Sequence, residues 1–212
     1  MVFFSNYDFI KNLIYDRMKL ERRYKMDKVS IGVSNHHVHL TKETLEILFG
    51  KGYELTKRND LNQYGQYACL ETVILKTDKG ILENVRIIGP VRNYTQVELL
   101  QTDCDGLGVN PPVRNSGDLE GSEKITIIGP KGMVNLEKGC IIANRHIHIN
   151  TKDNIKYKED QIVRVKLDSG IILDNVHIKI APNFYYEMHI NKDEAILYDL
   201  KNKDVVTILD GE

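Results

Sequence analysis

Cysteine is scarce in this 212-residue chain, and long apolar runs are absent. Only Cys69, Cys104 and Cys140 occur. Their number is odd and no C-x-x-C spacing joins them, which argues against a disulfide framework and for a reducing, cytoplasmic setting. No apolar run approaches the roughly 20 residues of a membrane span. Asp8, Lys11 and Asp16 interrupt the stretch where the apolar centre of a signal peptide would lie. Neither sign of charge prevails. Lys and Arg number 29 against 30 Asp and Glu, a net charge of -1, so electrostatics offers no case for nucleic acid or an anionic membrane. No Walker motif, G-x-G-x-x-G or G-x-S-x-G is present, which removes the sequence signs of an NTPase, a Rossmann enzyme or a nucleophile elbow. What is present suits a packed core. The hydrophobic fraction is 42% and the charged fraction 28%, and the length allows one large or two small domains.

Residues 3–24 carry a helical period. Phe3, Tyr7, Ile10, Ile14 and Met18 recur at spacings of three and four, with Phe4, Leu13 and Tyr24 widening the stripe. Such an amphipathic helix packs on its own domain or a partner subunit, or serves as a targeting peptide. From Val29 the pattern changes to short strand-like runs between Gly, Asn and Asp turns, at 29–33, 72–77, 81–89, 94–100, 125–129, 132–136, 140–149, 162–168, 171–181, 185–190 and 205–209. Two short helices interrupt them. Thr41 caps one over 42–49, stopped by Gly50, and Asn191 caps another over 192–200, with Glu194 completing a capping box. The fold class is mostly β, and many short strands suggest barrels or sandwiches.

Two stretches match. Asn35-His36-His37-Val38-His39-Leu40 and Asn144-Arg145-His146-Ile147-His148-Ile149 each place two histidines two residues apart. On a strand such residues share a face. Seven histidines spread at random predict less than one such pair, so two in one context point to a duplicated unit. The repeat extends further. Thr77-Asp78-Lys79-Gly80 with Asn84-Val85 matches Leu167-Asp168-Ser169-Gly170 with Asn175-Val176. Thirteen residues beyond each valine stand Glu98 and His189. Each unit thus offers three metal-ligand types: His37, His39 and Glu98, then His146, His148 and His189. Imidazole and carboxylate without thiolate fit a zinc site that keeps an open position, and nickel, cobalt or iron would accept the same donors. Asn35 and Asn144 share the histidine face as candidates to support the ligands. His36 points the other way, and His177 reads as an ordinary strand residue. Arg92, six residues before Glu98, would present a guanidinium fork to a phosphate. The turn-rich loop 111–118, with Arg114 and Ser116, reads by itself as a connector.

Together these residues resemble the PduL-type phosphotransacylases, the phosphate propanoyltransferases of bacterial microcompartments and related acetate metabolism. The resemblance spans roughly residues 29–195. It rests on Gly32-Val33-Ser34-Asn35 before His37-Val38-His39-Leu40, on Gly89-Pro90 with Arg92 and Thr95-Gln96-Val97-Glu98, on Pro111-Pro112-Val113-Arg114 with Ser116-Gly117-Asp118, on Arg145-His146-Ile147-His148, and on Glu187-Met188-His189. It implies two closely packed small β-barrels capped by short helices, one from 29–35 with 144–212 and the other from 36–143. It implies two zinc ions on the six ligands above and phosphate on Arg92. Coenzyme A would meet Val33, Ser34, Asn35, Lys79 and Arg86. Residues 1–28 would be a helix and linker, the helix corresponding to an encapsulation peptide that meets shell proteins, in a homo-oligomeric enzyme of propanediol degradation. The expected reaction is acyl-CoA plus phosphate giving acyl phosphate and CoA, reversibly, without an acyl-cysteine intermediate. A metal-dependent hydrolase and a metal-braced scaffold are the alternatives. The chain departs from the family pattern at His36 (commonly Arg), Tyr64 (usually Pro), Asn115 (commonly Asp) and Ile196 (where Asn is expected near coenzyme A).

Overall fold

The computed structural model describes residues 17–18, 28–154 and 156–209. The helix expected over 3–24 lies outside them except for Arg17 and Met18, which are helical. From residue 28 the elements are β1 (Lys28–Ser34), β2 (His37–His39), α1 (Lys42–Phe49), β3 (Lys57–Asp60), β4 (Tyr67–Lys76), β5 (Ile81–Gly89), β6 (Gln96–Glu98) and α2 (Gln101–Leu107). They continue with β7 (Val113–Arg114), β8 (Glu123–Ile128), β9 (Met133–Ala143), β10 (His146–Asn150), β11 (Ile162–Lys166), β12 (Ile172–Ala181), β13 (Glu187–Asn191), α3 (Lys192–Leu197) and β14 (Val205–Leu209).

The strands close into two six-stranded barrels, as the resemblance implied. One ring runs β11-β12-β10-β13-β1-β14. The other runs β4-β5-β2-β6-β9-β8, with β8 closing it onto β4. In that order the two rings agree at every pairing: antiparallel, parallel, antiparallel, parallel, antiparallel, antiparallel. The repeated sequence is therefore a repeated barrel. In the first ring β1 takes the place that β9 holds in the second. The chain crosses between barrels at Asn35-His36, from β1 to β2, and at Asn144-Arg145, from β9 to β10. Each crossing directly precedes a His-x-His strand, which plants both pairs where the barrels meet.

Alternation fills the barrels. Ile147 and Ile149 of β10 and Val176 and Ile178 of β12 are fully buried in one core. Val38 of β2, Ile87 of β5, Val97 of β6 and Cys140 of β9 are fully buried in the other. Each such aliphatic side chain contributes about 1.5–3 kcal/mol by leaving water. With the apolar residues turned inward, their neighbours His37, His39, His146 and His148 must face outward.

The elements differ from expectation in a few places. The run 140–149 divides in two, because Asn144 and Arg145 make the crossing. The helix after Asn191 ends at Leu197, short of residue 200, although its cap forms as read, with Asn191 Oδ1 accepting from Glu194 N at 2.9 Å. Helix α2 had no capping signal, since Leu100 carries no acceptor. Asp103 Oδ2 reaches back instead and accepts from Leu100 N at 3.0 Å. Strand β3 is polar and exposed throughout, so no alternation marks it.

Candidate functional site

Side chains from both barrels meet in a cleft of about 320 Å3. His37, His39 and Glu98 come from β2 and β6, where His37 lies opposite Glu98 in the antiparallel pair. Ligand atoms of the three lie within 4.8 Å of one another. His37 donates from Nδ1 to Asn35 O at 2.8 Å, and His39 from Nδ1 to Ile88 O at 3.2 Å. A carbonyl can only accept, so the proton of each neutral ring is on Nδ1 and the lone pair on Nε2. The two Nε2 atoms face each other at 3.2 Å, and His37 Nε2 lies 3.5 Å from Glu98 Oε2. Donor atoms on a tetrahedral zinc at about 2.0–2.1 Å are about 3.3 Å apart. Lone pairs converging at that spacing repel unless a cation lies between them, and the cluster fits one. Burial first, then the charges of His37 and Arg92, hold the His39 pKa well below its ordinary value.

His146, His148 and His189 repeat the arrangement from β10 and β13, again with ligand atoms within 4.8 Å. His146 lies opposite His189 and donates from Nδ1 to Asn144 O at 2.7 Å, as His37 does to Asn35. The support that Asn35 and Asn144 give is thus made by their backbone carbonyls. His148 stacks on Phe184, with ring centroids 4.0 Å apart, and its Nδ1 is buried with no partner. That orphaned atom also fits a metal-binding role. Burial first, then neighbouring histidines and Lys179, lower the pKa values of His146 and His148. Both rings are therefore neutral at pH 7, the form that can bind a metal ion.

The third member of each set is held by the residue two before it. Gln96 is fully buried. Its Nε2 donates to Glu98 Oε1 at 2.7 Å and to Ser116 Oγ at 2.8 Å, and its Oε1 accepts from Gly117 N at 2.8 Å. Glu187, only 4% exposed, meets His189 Nε2 at 2.9 Å through Oε2 and accepts from Asn62 Nδ2 at 2.7 Å through Oε1. Burial opposes its charge, but the bonds from His189 and Asn62 outweigh it and lower its pKa. Gly32 makes room for this carboxylate, since a Cβ there would stand 2.6 Å from Glu187 Oε2. Gln96 and Glu187 stand in the matched segments two residues before Glu98 and His189, a spacing that marks them as sharing the same strand face. Gln63 bridges the barrels, donating to Tyr185 O at 3.1 Å and accepting from Tyr185 N at 3.0 Å.

Arg92 lines the cleft. Its Nη1 donates to Tyr94 OH at 3.2 Å and to Ser116 Oγ at 3.5 Å, and among the described residues no carboxylate pairs with it. Asn183, at the matching place in the other repeat, is exposed, and Phe184 lines the cleft instead. Arg114 pairs with Asp118 at 3.3 Å outside it. Val33, Ser34, Asn35 and Arg86 border a larger adjoining cavity of about 690 Å3, which shares Ser34, His37, Gln66 and His189 with the cleft. Lys79 does not join them. It sits in the β4–β5 turn beside Gly108 and lines a separate hollow, seven residues and about 20 Å of strand from Arg86. Arg86 is half-tethered, donating from Nη1 to Cys69 O at 2.9 Å and Leu70 O at 2.8 Å. Of the departures, His36 pairs with Asp103 at 2.9 Å, Tyr64 packs edge-on against Tyr185, and Ile196 is 70% exposed on α3.

Residues 30–201 match the model of the family described as phosphate propanoyltransferase. The chain belongs to the phosphate propanoyltransferase family. It is 51% identical over 187 residues to a phosphate propanoyltransferase of Thermotoga maritima, covering 86% of this chain and 89% of that one. It is 47% identical over 186 residues to one of Lachnoclostridium phytofermentans, covering 85% and 87%, and 44% identical over 171 residues to one of Listeria monocytogenes, covering 79% and 80%. As a phosphate propanoyltransferase-family member the chain is a phosphate acyltransferase. No helix among the described residues is long and apolar enough to cross a membrane.

Proposed function

We propose that the cleft passes an acyl group from coenzyme A to phosphate, reversibly, with propanoyl-CoA or another short-chain acyl-CoA as donor. The observation that carries this reading is Arg92, a cation without an acidic partner among the described residues, in a cleft whose one carboxylate is Glu98. A guanidinium so placed suits a phosphate oxygen pair. His37, His39 and Glu98 would hold one divalent ion and His146, His148 and His189 a second, zinc fitting both sets and supplying Lewis acidity to charge developing on oxygen.

Arg92 orients the phosphate. That anion needs no base at pH 7. Its oxygen forms the bond to the thioester carbonyl carbon as the carbon–sulfur bond breaks, and the electron pair leaves on the CoA sulfur. A thiolate is a tolerable leaving group, so no strong acid is required. The cysteines have no part in it. All three are buried and none lines the cleft. Burial raises their pKa values, to about 11 for Cys69 and Cys104 and further for Cys140, so they stay as unreactive thiols. The larger cavity beside Val33, Ser34, Asn35 and Arg86 suits the body of coenzyme A, its sulfur end entering the cleft past Ser34.

Thiol release from propanoyl-CoA, with and without phosphate, tests the proposal. Phosphate-dependent release is expected. Release independent of phosphate would mean a hydrolase, and none would mean a scaffold. The amphipathic segment before residue 28 is proposed to dock the enzyme into a microcompartment shell. Co-purification with shell proteins should then be lost on removing residues 1–24, and retention without them would refute that role.

A further inference from the structure

Lys179 breaks the pseudo-symmetry of the two barrels. The register of β10 on β12 pairs His148 with Lys179. Val176 and Ile178 point into the core, so Lys179 projects outward on the face that carries His148. It lines the cleft together with Arg92. It is half-buried, yet among the described residues no hydrogen bond or ion pair engages its ammonium. A cation withdrawn from water is costly unless something meets its charge. Glu98, Asp160 and Glu159 act on that charge through space, but none of them forms an ion pair with it; Glu98 Oε1 is taken by Gln96, and its Oε2 faces His37.

The repeat gives this lysine no counterpart in the other barrel. Aligning Val85 with Val176 puts Ile88 where Lys179 stands, and Asn183 where Arg92 stands. Each barrel contributes one cation to the shared cleft from a non-equivalent position. We infer that Lys179 binds the same phosphate as Arg92, from the wall of the other barrel, so that the phosphate site is complete only between the two. The guanidinium fork takes two oxygens, and the ammonium, a point charge with three donors, takes one that the fork leaves free. This rests on the assignment of phosphate to the cleft.

The test uses the full chain with its metals. Lys179→Met should raise the phosphate KM about 10- to 100-fold, the loss expected for one charge-assisted hydrogen bond. The acyl-CoA KM should move less than about 3-fold, and Lys179→Arg should recover most of the loss. Titration calorimetry with inorganic phosphate should show the same weakening without turnover. Metal content and the unfolding midpoint should match the unaltered protein. If Lys179→Met does not fold, Lys179→Gln and Lys179→Arg carry the comparison. A phosphate KM within about 2-fold of the unaltered protein, or an equal rise in both KM values, overturns the role of Lys179. If the unaltered protein makes no acyl phosphate and binds no phosphate, the assignment of phosphate to the cleft fails first, and the lysine's role with it.

Discussion

The buried histidines should make this protein acid-sensitive well above the range where carboxylates titrate. His39 is 2% exposed and His148 8%. Burial is the largest cause that lowers both pKa values, with nearby positive charge adding to it. In the unfolded chain each imidazole titrates near 6.5. The folded pKa is the lower one, so below about pH 6.5 the unfolded state binds protons that the folded state refuses. Stability is complete above that value and falls as the pH drops toward the folded pKa. At pH 5.5 each histidine costs about 1.4 kcal/mol relative to pH 7.5, and the pair about 2.7 kcal/mol. His146, lowered in the same way, adds in the same direction. The loss is a large share of a typical 5–15 kcal/mol. Urea unfolding of chelator-treated protein at pH 7.5, 6.5 and 5.5 reads it directly. At a slope of about 2 kcal/mol/M the midpoint should fall by about 1.4 M. Glu71, Asp103 and Glu187, whose pKa values are lowered, lose their contribution only below about pH 4, outside this window. A midpoint that moves by less than about 0.3 M would refute the reasoning.

Other perturbations isolate single parts of the site. Arg92→Gln should raise the phosphate KM and lower kcat, with kcat/KM down about 100- to 1,000-fold and metal content unchanged; a normal kinetic profile would remove Arg92 from the mechanism. Glu187→Gln weakens the partner of His189 and should cut metal affinity at the second cluster about 10- to 100-fold while sparing the first, as read by chelator competition. Equal effects on both clusters, or none, would contradict that role. Cys69→Ala, Cys104→Ala and Cys140→Ala should each keep turnover within about 3-fold, at some cost in stability from core cavities; loss of turnover and of a burst in one of them would indicate an acyl-cysteine.

Much of this arrangement was legible before the structure because it was duplicated. A single His-x-His strand carries little information, but two copies in register located Glu98 and His189. The same comparison could have marked Gln96 and Glu187, because both precede the third member of a cluster by two residues on one strand face. What the sequence left hidden depends on contacts between distant segments. Lys179 has no counterpart in the repeat, since Ile88 occupies its place. Gln63 matters only because its loop meets Tyr185 across the barrel boundary. The placement of β1 in the ring of β10 to β14 was implied by the resemblance alone, since it follows from closure of the rings, which no local pattern records. Lys79 shows the converse limit. It resembles a coenzyme A contact in sequence, but the β4–β5 hairpin carries it to the far end of the barrel.

Direct acyl transfer to phosphate in the cleft between the barrels leaves an acyl phosphate and a free thiol in equal amounts. Phosphorus NMR of the full-length protein with propanoyl-CoA and phosphate tests it most directly, with free thiol measured on the same sample. An acyl phosphate signal should grow in step with released thiol and be abolished by removal of metal. Thiol released without any acyl phosphate, or acyl phosphate formed at an undiminished rate by Arg92→Gln, would contradict it.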